Sequence, residues 1–117
     1  MGTEYAHVFL PIASTEVVTH NLKPRLASGE ALTGTPVVTD VTDAGSATGE
    51  LTIAGTTLNA VADTVNGFGI NQAIKFRIST SSTTSDSYLL KLSCEKDTSD
   101  GQTLVDYLFV HFDYPCQ

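Results

Sequence analysis

The sequence predicts an all-β chain folded as one antiparallel sandwich, and three observations predict it. Apolar and polar residues alternate in short runs, the period-2 signature of half-buried strands. Clusters of Gly, Asp, Asn, Ser and Thr separate those runs. Thr, Ser, Val and Gly are abundant while strong helix formers are thinly spread. At 117 residues, 41% hydrophobic and 16% charged, the chain has the size and balance of a single globular domain able to bury a core without metal or disulfide staples.

The clearest pair of runs lies in the last third, Asp86 to Glu95 and Thr103 to Phe112, around a turn from Lys96 to Gln102. Tyr88, Leu90, Leu92 and Cys94 share one face of the first run. Leu104, Leu108, Val110 and Phe112 share one face of the second, interrupted by Asp106. This pair reads as the inner hairpin of the sandwich.

From the start of the chain, Glu4 to Leu10 alternates weakly, with Tyr5, His7 and Phe9 opposite Ala6, Val8 and Leu10. Both sides carry bulk, so it reads as an edge strand or as an arm on a neighbour, ended by Pro11. Glu16 to Leu22 is a second strand. The basic stretch from Lys23 to Glu30 reads as a loop with room for one helical turn ending at Gly29. Thr35 to Val41 is a strand with Val37, Thr39 and Val41 on one face and Val38 and Asp40 on the other. A turn at Asp43–Gly49, a strand at Glu50–Ala54 and a short segment with Leu58, Ala60 and Ala62 follow. Asn66-Gly67 predicts a type I′ turn, whose two central residues need φ > 0. Ala73 to Ser79 points Ile74, Phe76 and Ile78 inward and Lys75 and Arg77 outward. A Ser/Thr run from Ser79 to Ser85 leads into the final hairpin.

The tally is about seven strands with turn chemistry between them, an immunoglobulin-like antiparallel β-sandwich. The Cys–Trp–Cys signature of antibody domains is missing, and there is no Trp at all. The divisions are 1–15 as N-terminal arm or edge strand, 16–112 as the sandwich and 113–117 as a C-terminal tail.

Charge and composition exclude several function classes. Thirteen acids against six bases give a net charge of −7, which repels nucleic-acid phosphates and anionic membranes. No run is long and apolar enough to span a bilayer, and Met1-Gly2-Thr3-Glu4 has no basic leader region. Cys94 and Cys116 lie toward opposite ends of the hairpin. At about 3.3 Å per residue they stand tens of ångströms apart, whereas a disulfide needs Cα atoms within about 7 Å. Free thiols are the expectation, as in a reducing cytosol.

No catalytic constellation emerges. His7, His20 and His111 sit on different strands, without helical metal-site spacing, and read as scattered. Asp97-Thr98-Ser99-Asp100-Gly101 lacks the bidentate glutamate of a calcium loop. No Gly-x-Ser-x-Gly elbow and no Gly-rich phosphate loop opening a helix is present. The expectation is a non-enzyme with no cofactor and no metal.

The outer face of the hairpin is what stands out. Leu89, Val105, Tyr107, Phe109 and His111 point away from Leu90 and Leu108. Bare, they form an apolar patch larger than a soluble monomer usually shows. Either the N-terminal segment or a loop covers them, or they are a subunit interface together with Tyr5, His7 and Phe9.

Glu16-Val17-Val18-Thr19, Arg25-Leu26-Ala27-Ser28-Gly29-Glu30 and Leu32-Thr33-Gly34-Thr35-Pro36-Val37-Val38-Thr39 together resemble the opening of small tailed-bacteriophage virion proteins of the fibre–tail adaptor or neck-collar type. Ala73-Ile74-Lys75-Phe76-Arg77-Ile78-Ser79, Tyr88 and the run from Thr98 to Val105 continue the resemblance, which spans Glu16 to Phe112. The sequence departs from that pattern in its Ser/Thr run, where a Gly-rich turn commonly precedes the Tyr, and in its tail from Asp113 to Gln117. The resemblance implies an immunoglobulin-like sandwich that works by assembly. Its partners would be itself, in a homo-oligomeric ring, and other virion proteins (portal or connector, tail or fibre). Its location would be the virion, assembled in the host cytoplasm at the neck, collar or tail. A capsid decoration protein is a variant of that reading. A carbohydrate or host-surface module is the alternative, although the loops Asp43–Gly49 and Ser79–Ser85 carry no aromatic residue.

Overall fold

The computed structural model describes residues 6–12, 14–97 and 102–114. Seven strands follow in order: β1 (Ala6–Pro11), β2 (Glu16–Asn21), β3 (Leu32–Asp40), β4 (Leu51–Leu58), β5 (Ala73–Thr80), β6 (Asp86–Lys96) and β7 (Thr103–Asp113). They form two sheets, β1-β7-β6-β3 and β2-β5-β4, packed as a sandwich. The all-β immunoglobulin-like expectation holds, with one change of direction: β1 runs parallel to β7, from Ala6 opposite Leu108 to Pro11 opposite Asp113.

The β6–β7 hairpin is the centre of the larger sheet, in register from Asp86 opposite Phe112 to Glu95 opposite Thr103. Its inner face is the expected one. Tyr88, Leu90, Leu92, Cys94, Leu104, Leu108, Val110 and Phe112 are all buried. They meet Ile74, Phe76 and Ile78 of β5 and Val18 of β2 across the sandwich. The Tyr88 ring stands edge-on to Phe112, with centroids 5.9 Å apart. Its hydroxyl donates to Glu50 Oε1 at 2.6 Å and lies 2.9 Å from Thr80 Oγ1, so the one polar atom of a buried ring has partners from the opposite sheet. Burial and the Glu50 carboxylate push the Tyr88 phenol up to about 12.

Several local expectations are corrected. β3 starts at Leu32 rather than Thr35 because Leu32 is a core residue, and a register shift between Thr33 and Val37 absorbs Gly34 and Pro36. β4 does not stop at Ala54 but continues through Gly55 to Leu58, with a second register shift there. Gly55 has φ +64°, and a Cβ at that position would lie 3.2 Å from the Arg77 guanidinium carbon that crosses it. Residues 59–72 are a loop, so Ala60 and Ala62 lie in no strand. Asn66-Gly67 does not form a type I′ turn. Gly67 has φ +76°, while Asn66 is not among the positive-φ residues. The actual turn closes from Asp63 to Phe68 through paired backbone hydrogen bonds of 2.8 and 3.0 Å. The stretch after β2 holds a single 3₁₀ turn, Lys23–Arg25, rather than a helical turn ending at Gly29.

Two acidic groups turn inward where the sequence alternation places apolar ones, Asp40 buried and Asp106 half-buried. Asp40 ends β3 and accepts hydrogen bonds from the backbone and hydroxyl groups of both Thr42 and Thr48, which fixes the loop between β3 and β4. Burial pushes its carboxyl up, but these hydrogen bonds outweigh that and hold it below the ordinary value. Asp106, the interruption in β7, faces His20 of β2: Oδ2 lies 2.8 Å from His20 Nε2, and Oδ1 accepts from Arg25 Nη1 at 3.1 Å. The interruption is therefore a hydrogen-bonded link between the sheets, with Arg25 as its ion-pair partner at the surface.

Candidate functional site

The outer face of the larger sheet follows from the register. Strand alternation turns His7 and Phe9 of β1 to the same side as Val105, Tyr107, Phe109 and His111 of β7. Leu89 lies opposite Phe109, Lys91 opposite Tyr107 and Ser93 opposite Val105 on β6. Val37 of β3 lies opposite Ser93 and is 52% exposed. The face thus runs from Phe9 to Val37 across four strands, a width of roughly 14 Å at ~4.8 Å per strand.

At the β1 end the rings form a stack. His7 lies on Phe109 with centroids 5.1 Å apart and on His111 at 5.0 Å, and Phe9 lies on His111 at 4.7 Å. Interplanar angles of 15°, 7° and 18° make these parallel contacts. A hydrogen-bond chain threads the stack: Ser87 Oγ lies 2.7 Å from His111 Nδ1, and His111 Nε2 lies 2.8 Å from His7 Nδ1. The histidines are therefore not scattered, as the sequence suggested. His7 and His111 pair across neighbouring strands, and His20 pairs with Asp106.

β1 lies beside β7 in the plane of the sheet, so it extends the face rather than covering it. Phe9 is 73% exposed, while Leu89, Val105, Tyr107, Phe109 and His111 are half-buried by one another. Tyr5, expected to join them, lies outside the described residues. Next to Phe9 and His111 the face ends in an open depression of about 380 Å³, flanked by Asp86 and Asp113.

Among the described residues the Ser87–His111 pair is not completed by an oxyanion hole. A serine hydroxyl on a histidine nitrogen is one part of an activated nucleophile. Ser87, however, is the second residue of β6 on the outer face of a sheet, and the nearby amides are already engaged, Ser87 N–H by Asp86 Oδ1 and Leu89 N–H by Thr42 Oγ1, both at 2.9 Å, so they are not gathered into an oxyanion hole. Among the described residues no three His, Cys, Asp or Glu side chains are grouped to hold a metal. The Asp97–Gly101 string lies mostly outside the described residues, and Asp97 Oδ1 accepts from the Ala31 backbone N–H. Cys94 is a free thiol, buried, with Sγ donating to the Thr33 carbonyl at 3.1 Å. Burial pushes that thiol up and makes it a poor nucleophile. Cys116 lies outside the described residues.

Sequence reasoning missed a second exposed apolar feature, the β4–β5 loop. Val61, Val65 and Ile70 are 76%, 93% and 56% exposed. Nothing in the local alternation marks them, because their order depends on the buried Asn59. Its Nδ2 donates to Val61 O and Gly69 O at 2.9 and 2.8 Å, and its Oδ1 accepts from Gln72 N and Ala73 N, both at 2.9 Å.

No protein-family model matches the chain, and no curated protein matches its sequence. Among solved structures it is similar to the cysteine protease inhibitor EhICP2 from Entamoeba histolytica, at 11% identity and a TM-score of 0.47, over 95% of this chain and 87% of that one.

Proposed function

We propose that this chain is a non-enzymatic structural protein of a tailed-phage virion. It self-assembles around the neck, collar or tail axis and docks connector, tail or fibre proteins. The observation that carries the assembly reading is the aromatic and aliphatic face that β1 and β7 build with Leu89 of β6 on the larger sheet, ending in Phe9, 73% exposed. Rings and aliphatic side chains gathered on one flat surface are what interface cores use, and a patch of this kind is uncommon on a protein that acts alone. β1 adds to this, since beyond it the larger sheet has no further described strand, and a bare edge accepts a strand from a neighbour. Repetition makes a modest contact sufficient, because each added copy binds at raised effective concentration. The virion station rests on the resemblance of the strand-and-turn pattern from Glu16 to Phe112. Mass spectrometry of purified phage particles from a producing culture tests it. The protein is expected in the particles in multiple copies, and its absence from complete particles contradicts the proposal.

A further inference from the structure

A ring built from identical copies needs two different, matching patches on each copy, because its interface is head-to-tail. The aromatic face supplies one. The β4–β5 loop has the character of the other.

Three features support that. The loop is built rather than loose. Asn59 ties its two ends, and Asp63 caps its turn by accepting from Val65 N and Asn66 N at 3.0 Å and from Asn66 Nδ2 at 2.7 Å. Within that frame Phe68 is turned in, while Val61 and Val65 are turned out. An ordered loop that presents aliphatic side chains to water suits a surface that is later buried.

The loop also lies at the Leu32–Lys96 end of the sandwich, tied there by Leu22 N to Gln72 O and Leu32 N to Asn71 O, whereas Phe9 and His111 lie at the other end of the β6–β7 hairpin. Together with Thr19 and Lys75, which point out from the smaller sheet, it lines an open depression of about 360 Å³. Two patches at opposite ends of the sandwich let copy follow copy without competing for the same surface.

Charge matches as well. Lys75 faces out beside the loop and lines its depression with Asp63, and Lys23 Nζ donates to Gly67 O at 2.8 Å near its tip. Asp86 and Asp113 flank the depression at Phe9 and His111. In a chain of net charge −7 this separation lets unlike charges meet between copies.

We propose that the Val65 tip of the β4–β5 loop seats in the Phe9–His111 depression of a second copy, with Lys75 directed toward the Asp86 and Asp113 carboxylates there. The proposal rests on the assembly reading and names the occupant of its surface.

The test uses the full chain and two variants, Val65→Asp and Phe9→Asp, both at exposed positions, with thermal melts to check that each is folded. Light scattering should find the parent assembled and each variant weakened in association by roughly tenfold or more. Mixed, they should form a 1:1 heterodimer that grows no further, because Phe9→Asp keeps an intact loop and Val65→Asp keeps an intact depression. A parent that is itself monomeric overturns the assembly reading, and this proposal with it. An assembled parent with a Val65→Asp variant that assembles equally well overturns the loop proposal alone. Two monomeric variants that stay monomeric on mixing also overturn it, since the loop and the depression then do not face each other.

Discussion

His7 stacks on His111 with centroids 5.0 Å apart and shares with it a 2.8 Å hydrogen bond, although the two stand 104 residues apart in sequence. The pair joins the first strand to the last, and so binds the outermost strand of the larger sheet to the hairpin at its centre. Packing and hydrogen bonding act at one seam. His7→Ala and His111→Ala should each destabilise the fold, and the double variant should cost less than the sum of the two. A coupling of about 0.5–1.5 kcal/mol is expected for a stacked pair. Urea unfolding of the four proteins measures it, and strict additivity would show that the rings do not support each other.

The Asp106 link between the sheets gives an ordered set of effects. Asp106→Ala leaves the buried His20 ring without its partner, at a cost of about 1–3 kcal/mol. Arg25→Ala removes a side chain that is 50% exposed, so its cost is under about 1 kcal/mol. Replacing His20 and Asp106 together by leucine should recover most of the loss, because no buried polar atom is then left unpaired. Equal effects of Asp106→Ala and Arg25→Ala in urea melts would refute this ordering.

Asp40 makes stability depend on pH in the acid range. In the unfolded chain an aspartate titrates near about 3.9, and in the folded protein Asp40 titrates lower because Thr42 and Thr48 donate to its carboxylate. As the pH falls the unfolded chain takes up the proton first. The Asp40 contribution is therefore complete above the unfolded value and is lost as the pH falls through the folded one. Asp40→Asn, which imitates the protonated side chain, should be destabilised at neutral pH by an amount that shrinks below the ordinary aspartate range. A difference from the parent that stays constant with pH, followed by denaturant melts, would contradict it.

Much of the fold is legible in the sequence wherever burial imposes a local period. Tyr88, Leu90 and Leu92, and again Ile74, Phe76 and Ile78, alternate without a break, and all are core. Legibility fails where a residue answers to something distant. Gly55 reads as a strand end, but in the fold it is a bulge with the Arg77 guanidinium lying across it. Asp106 reads as a flaw in an apolar face until His20 arrives from the other sheet. The candidate surface divides in the same way. Leu89, Val105, Tyr107 and Phe109 come straight from alternation on the hairpin. The parallel pairing that aligns His7 and Phe9 with them has no local signal, and neither has the Asn59 frame that exposes Val61 and Val65.

The central claim is that the outer face of the larger sheet joins copies of this chain. The measurement that tests it most directly is the mass of the purified full chain in solution, by native mass spectrometry or light scattering across a concentration series. The account predicts a closed homo-oligomer that Phe9→Asp reduces to monomers that still unfold cooperatively. A chain that stays monomeric to high concentration, or an oligomer indifferent to Phe9→Asp, would contradict it.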